Sequence, residues 1–336
     1  MRRFFAVEAV ASFSVAALIL TGCSSSAGGG NAGATDDTIT VGFAIPAANQ
    51  TYWTAYQNGV KDEAEKQGVK VLFADAKDDA NAQVDQVSSF LVSGVDGVVI
   101  APTDTVGPLA AVAAVSDAGL PLITSNRVLD TTYGGAGGAL PEVHVGFDDV
   151  KLGELQGELL VDACAEIDPC DVALLMATLG SSPQIQRTEG LKNVVSQHSN
   201  ITLVDQQPDN FDSQLAQNLT ATFLQQYPDL DFVLSQYDEN AVAAAQVVSE
   251  NGKADQVKVI GIGGSKNGVS AIEDGSMLGT VWVSPVRDGV TALQTILALI
   301  NDDDLSDVSD TNGVPTIPVG AEKVTKDNAS QFPGEW

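Results

Sequence analysis

Residues 38–75 read TITVGFAIPAANQTYWTAYQNGVKDEAEKQGVKVLFAD, and this stretch decides the fold. Residues 38–45 and 70–75 are short apolar runs of strand character, and residues 52–67 between them form an amphipathic helical stretch that stops at Gly68. Two strands joined through a helix need a crossover and therefore lie parallel. The alternation continues with a helix at 80–93, a strand at 97–100, a helix at 106–117 and a strand at 122–124. A Gly-rich break at 133–139 follows, and then the rhythm restarts. Helices are expected at 150–162, 187–197, 212–226, 239–250, 267–274 and 286–300, with strands at 172–176, 202–207, 232–234, 257–262 and 279–283. An acidic loop and a short tail close the chain. Two sets of βα units make this an α/β protein of two doubly wound parallel-sheet lobes. In such sheets ligands sit outside the carboxyl ends of the strands, so the loops that follow each strand are where function is sought.

The first 22 residues are of another kind. Arg2 and Arg3 precede an apolar run at 9–20, which closes on Leu20-Thr21-Gly22-Cys23. This order of charge, apolar core and small-residue site is that of a secretory signal peptide, and the run is too short for a permanent membrane span. The cysteine at the cleavage point resembles the lipobox of bacterial lipoproteins, in which that thiol becomes the lipidation site; an ordinary signal peptide with a chance cysteine is the plainer alternative. Residues 23–37 begin with a Ser/Gly/Ala stretch that has nothing to bury and reads as a flexible tether. Together these place a soluble body outside the cytoplasm, held at the outer face of the membrane (or in the periplasm) by its lipid anchor only.

The chain carries 44 acidic against 16 basic residues. Phosphate neutralisation requires basic clusters, so nucleic acid is excluded as a partner. An anionic membrane surface is equally unsuited, and solubility accounts for most of the charge. Besides Cys23 there are Cys164 and Cys170, in C-A-E-I-D-P-C. An even pair in an exported chain fits a disulfide between a helix end and the next strand, with free thiols as the alternative. A metal site would need further ligands, and the histidines are His144 and His198 alone.

Among the strand-end loops, the first holds Asn49-Gln50-Thr51-Tyr52-Trp53. An amide beside two aromatics suits a ring with hydroxyl edges and CH faces, because aromatic planes cover the CH face while the amide donates and accepts. The same two aromatics would serve equally to cap the helix onto the core. Ser125-Asn126-Arg127 follows the fourth strand, and Arg187 heads the helix after residues 172–176. An arginine fork grips two adjacent hydroxyls or a carboxylate.

Along nearly its whole body the chain resembles the periplasmic sugar-binding proteins of the ribose-binding type. The resemblance is carried by N-Q-T-Y-W at 49–53, P-T-D at 102–104, P-L-I-T-S-N-R at 121–127 and F-D-D at 147–149, and then by R-T-E-G-L at 187–191, N-F-D at 210–212 and Q-Y-D-E-N-A at 236–241, in that order and spacing. It implies two lobes joined by three hinge crossings, near Phe147, near 282–284 and near Gly320, with lobe 1 comprising 38–147 plus 284–320 and lobe 2 comprising 148–283 plus 321–336. It also implies ligand-binding roles. Gln50 takes a hydroxyl, Tyr52 and Trp53 stack, Arg127 and Arg187 grip hydroxyls from opposite lobes, and Phe211 walls the second lobe. The departures bear on the ligand. Asn126 and Gly263 stand where the family has aspartates, Tyr237 where the ribose type has asparagine, and Val283 in place of a glutamine. A pocket loses discrimination when hydrogen-bond partners are removed, so another monosaccharide or a short polyol is expected rather than ribose, with Tyr237 among its contacts.

The glycine cluster G-I-G-G-S-K at 261–266 lacks the last glycine of a dinucleotide loop. The acidic run 301–307 lacks the turn glycine and the terminal glutamate of a calcium loop. With no nucleophile–base constellation either, the chain is expected to be a binding protein and not an enzyme, with no cofactor and no metal. The expected role is the substrate-binding lipoprotein of an ABC importer, its partners a permease with a cytoplasmic ATPase. The alternative is a receptor of the same fold that presents its ligand to a membrane sensor.

Overall fold

The computed structural model describes residues 38–129, 141–311 and 314–336. The signal peptide, the tether and Cys23 lie outside the described residues, as does the Gly-rich break at 133–139. The opening stretch folds as β1 (Thr40–Ile45), α1 (Thr51–Gln67) and β2 (Lys70–Asp75), with β1 and β2 parallel in the register Thr40 opposite Lys70. Five of six β1 residues are buried, which explains its continuous apolar reading: a central strand of a covered sheet has no solvent face. Next come α2 (Ala80–Val92), β3 (Gly97–Ile100), α3 (Leu109–Asp117), β4 (Leu122–Ser125) and β5 (Val143–Gly146). The second half runs α4 (Asp149–Ala163), β6 (Cys170–Met176), α5 (Ser182–Val195), β7 (Ile201–Pro208), α6 (Ser213–Gln226), β8 (Phe232–Ser235), α7 (Asp238–Glu250), β9 (Lys258–Gly263), α8 (Lys266–Asp274) and β10 (Gly279–Val283). It ends with α9 (Pro285–Ile300), β11 (Ser309–Thr311), β12 (Val314–Pro318) and β13 (Ala321–Thr325).

These strands form two sheets, a seven-stranded one in the order β11-β12-β5-β4-β3-β1-β2 and a six-stranded one in the order β13-β10-β9-β8-β6-β7. Both are doubly wound, since strand order runs outward in both directions from the first strand of each half. The chain passes between them three times, from β5 to α4, from β10 to α9 and from β12 to β13. Ser284, in the second crossing, caps α9 by accepting from Arg287 N–H at 3.0 Å. No described helix is long and apolar enough to cross a membrane.

Several elements differ from their sequence reading. β5 and β11–β13 had no expected counterpart: they are only three to five residues long, too short for a strand pattern to stand out, and β5 carries His144 while β12 carries Pro315 and Pro318. Two of them also change the sheet type at its edges, because β11 pairs with β12 and β13 with β10 antiparallel. The helix expected from 187 begins at Ser182, with Pro183 in its first turn, where a missing N–H costs nothing. The helix expected from 106 begins at Leu109, because the Asp104 side chain accepts from the Val106 and Gly107 N–H groups and holds them in a turn. Cys164 ends α4, Cys170 opens β6, and their sulfurs are bonded at 2.10 Å. Asn200 Nδ2 donates to the carbonyls of Cys164 and Ile167, satisfying that loop.

Candidate ligand-binding cleft

The carboxyl ends of both sheets face one cavity, whose empty space is about 410 Å³ with the open solvent at its mouth included. Gln50, Tyr52, Trp53, Asn126, Arg127, Arg187, Phe211 and Tyr237 all line it, so the structure brings together every ligand-contact residue singled out in the sequence. The lobes meet around it. Thr105 N–H donates to Gly180 O at 3.3 Å, Val128 N–H donates to Ser182 Oγ at 3.0 Å, and the hydroxyls of Thr51 and Tyr237 lie 3.2 Å apart.

On the first side, Tyr52 and Asn126 are held by a residue that sequence reasoning missed. Asp288, fully buried on α9, accepts from Tyr52 O–H at 2.8 Å, Asn126 Nδ2 at 3.0 Å and Ser125 Oγ at 3.3 Å. Asn126 Nδ2 also donates to Tyr52 Oη at 2.9 Å. Burial pushes the Asp288 carboxyl up to about 7. An acid in the first turn of an amphipathic helix reads as a surface residue, and only the crossing before α9 turns it inward. Gln50, the residue before α1, is half-buried and its side chain caps nothing, which leaves the amide to the cavity. Trp53 serves both of the roles open in the sequence: it lines the cavity and packs edge-on against Tyr56 at 5.3 Å in the core.

The two arginines are buried on opposite sides, Arg127 at 2% exposed and Arg187 at 8%. Arg127 Nη1 donates to the carbonyls of Pro102 and Thr103 at 3.4 and 3.2 Å, and its guanidinium lies 5.5 Å from the Phe211 ring centre. Its nearest carboxylate, Asp78, is 3.9 Å away. Burial lowers the Arg127 pKa to about 10, so it stays charged at neutral pH. Arg187 Nε donates to Asp149 Oδ1 at 2.8 Å and Nη1 to Gln236 O at 2.6 Å. Asp149 is nearly fully buried; burial pushes its carboxyl up and the adjacent Arg187 offsets part of that. Sequence reasoning missed Asp149 as well, although it lies in the F-D-D motif.

Phe211 stands at φ +59°, held by Asp209 Oδ1, which accepts its N–H at 3.0 Å, and its ring meets Tyr237 edge-on at 5.2 Å. Ile262, Gly263, Val283, Pro183 and Trp336 complete the wall. Trp336 was also missed; it stacks on Tyr237 with ring centres 5.2 Å apart and planes at 18°, and meets Tyr52 edge-on at 5.7 Å. The glycine cluster is tied to Asp238, whose Oδ2 accepts the N–H groups of Gly264 and Ser265 at 2.6 and 3.0 Å. Those N–H groups are thus committed to an internal carboxylate instead of a phosphate.

Two doubly wound lobes, three crossings and a polar cleft between the strand ends define a solute-binding protein of the two-lobed type I class. A model of the periplasmic binding protein domain matches residues 41–304, and the chain belongs to that family, among its sugar-binding proteins of the ribose-binding type. The ribose import binding protein of Bacillus subtilis (strain 168) is 28% identical over 256 residues, covering 76% of this chain and 80% of that protein. The xylitol-binding protein of Mycolicibacterium smegmatis is 26% identical over 325 residues, covering 96% and 86%. Among solved structures, an ABC transporter solute-binding protein from Mycobacterium smegmatis with bound glycerol is 28% identical with a TM-score of 0.79, covering 88% of this chain and 97% of that one. Another, from Bacillus halodurans with bound myo-inositol, is 26% identical with a TM-score of 0.80, covering 89% and 98%. Members of this family bind substrates and are not enzymes, and the family is extracytoplasmic.

Proposed function

We propose that the chain is the lipid-anchored substrate-binding component of an ABC importer and captures a monosaccharide or short polyol between lobe 1 (38–147 plus 284–320) and lobe 2 (148–283 plus 321–336). The observation that carries this reading is the pair of buried arginines, Arg127 and Arg187, facing one cavity from opposite lobes. A ligand that touches both has more interaction with the closed arrangement than with the open one, and only such a difference shifts the balance between them. Asp149 and the Gln236 carbonyl fix the Arg187 fork, while Asp288 fixes Tyr52 and Asn126, so these donors and acceptors need little reordering when hydroxyls arrive. Gln50 supplies an amide, and Tyr52, Trp53, Phe211 and Tyr237 supply rings for CH faces. The closed surface is what the permease recognises, and its ATPase supplies the energy. Cys23 carries the lipid, and the stretch that follows it is the tether.

Calorimetric titration of the mature body with D-ribose, D-xylose, xylitol, glycerol and myo-inositol tests the capture. At least one binds, and Arg127→Ala and Arg187→Ala each abolish that binding; silence across the panel would count against the reading. For the anchor, Cys23→Ser releases the protein from the membrane fraction of cells expressing the full chain.

A further inference from the structure

Gly263 and Trp336 occupy one place in the cleft. A Cβ built on Gly263 would stand 2.8 Å from Trp336 Cζ2 and 3.1 Å from Cη2, so any side chain at 263 and the indole in this position exclude each other. The backbone agrees, since Gly263 holds φ +153°, a conformation that L residues rarely adopt. The indole atoms nearest to that position, Cζ2 and Cη2, belong to the six-membered ring, and Nε1 lies two bonds from Cζ2. That Nε1 is buried, and no hydrogen-bond partner is found for it among the described residues. Trp336 itself lines the cavity and is held in place, its ring stacked on Tyr237 and its carbonyl accepting from Lys266 N–H at 2.8 Å. The neighbouring Glu335 accepts from Ser284 Oγ at 2.6 Å, which ties the same segment to the second crossing.

The chemistry at this spot is therefore the reverse of what a carboxylate there would offer. An ionised aspartate only accepts and so selects hydroxyl donors; an indole N–H only donates. Tyr237, stacked on the indole, and Ile262 and Val283 in the same lining present apolar surface to the cavity. A ligand hydroxyl placed against this wall could accept from Nε1, but its own proton would be buried facing apolar groups, and a polar hydrogen left unpaired is costly. An ether, ring or carbonyl oxygen has no proton to place. We propose that Trp336 is a specificity-determining residue whose Nε1–H receives an acceptor-only oxygen of the ligand, flanked by CH surface, so that the cleft favours O-alkylated or carbonyl-bearing sugars and polyols over their fully hydroxylated parents. This rests on the capture of sugars or polyols proposed above.

The test compares xylitol, myo-inositol and D-ribose with their mono-O-methyl derivatives by calorimetry, on wild-type protein and on Trp336→Phe, Trp336→Ala and Tyr227→Phe. Phe keeps a ring and loses the N–H, while Tyr227, at the C-terminal end of α6, does not line the cavity and is the control. The wild type is expected to bind at least one methyl ether better than its parent. Trp336→Phe then weakens that ligand by about tenfold, the size of one hydrogen bond with a buried donor, and removes the preference. Trp336→Ala weakens it further, and Tyr227→Phe leaves it unchanged. Wild-type preference for the parents, or Trp336 variants that retain the affinity and ranking of the wild type, overturns the inference and leaves the capture reading intact. If none of the six compounds binds the wild type, the inference is overturned, and the capture reading falls with it only when D-xylose and glycerol are silent as well.

Discussion

Gly190→Ala is the substitution whose cost is written most directly in the backbone. Gly190 lies on α5 where it crosses α4, and a Cβ there would collide with the carbonyl oxygen of Val150; Gly153 on α4 stands in the same relation to the carbonyl of Arg187. The obstacle is backbone in both cases, so no rotamer change relieves it and the helices must separate. Replacing glycine by alanine inside a helix gains about 0.8–1 kcal/mol of propensity, whereas overpacking a tight contact costs about 1–3 kcal/mol. With no side chain able to yield, the cost falls at the upper end, and a net loss of about 2 kcal/mol is expected. Gly157→Ala is the internal comparison, because its Cβ meets Val194 Cβ at 2.9 Å, a milder approach than the carbonyl collision although that atom moves only with its backbone; its net loss should be smaller than that of Gly190→Ala. Urea unfolding of the three proteins reads the difference as a shift in midpoint at constant slope. The separation also reaches the cleft, since Arg187 and Asp149 sit at the same crossing and their 2.8 Å pair would be stretched. A Gly190→Ala protein as stable as the wild type, or more stable by the propensity gain, would refute this view of the crossing.

Asp288→Asn tests the buried acid on α9. A carboxyl raised to about 7 from an unfolded value of 3.8 binds more protons folded than unfolded, so its contribution to stability falls as pH rises through that window. The variant's unfolding free energy relative to wild type is therefore expected to grow from near zero at pH 4 to about 4 kcal/mol in its favour at pH 8, three pKa units at about 1.4 kcal/mol each, read by denaturant titration at several pH values; a difference independent of pH would contradict it. Asp149→Asn leaves the Arg187 charge buried without its anion and should cost about 3 kcal/mol of stability together with most of the ligand affinity, measured by urea unfolding and calorimetry. Tyr237→Phe removes the hydroxyl contact with Thr51 between the lobes. It should weaken ligand binding by about threefold to tenfold, the range of one ordinary hydrogen bond, while the melting temperature without ligand changes by only a few degrees.

The α/β alternation was legible because central strands of a sheet covered on both faces are continuous apolar runs, of which residues 40–45 and 97–100 are clear instances. Short strands at or next to a sheet edge carry no such signal, which is why β11, β12 and β13 emerged only from the structure. In the cleft, residues next to strand ends could be found by position, and Gln50, Tyr52, Asn126 and Tyr237 are of this kind. Their supports could not. Asp288 is 162 positions from the Asn126 it orients, and Trp336 is 99 positions from the Tyr237 on which it stacks. Such pairs are made by chain crossings, which no local pattern encodes. Gly263 shows the limit from the other side: the sequence reveals a side chain missing from the site, while only the structure reveals the indole that stands in its place.

The most direct measurement is a crystal structure of the mature body with a ligand from the binding panel. Ligand oxygens within hydrogen-bonding distance of both Arg127 and Arg187, with a ring or carbon chain against Tyr52 or Tyr237, are the expected result. A ligand held outside the cleft, or touching residues of one lobe only, would contradict capture by closure.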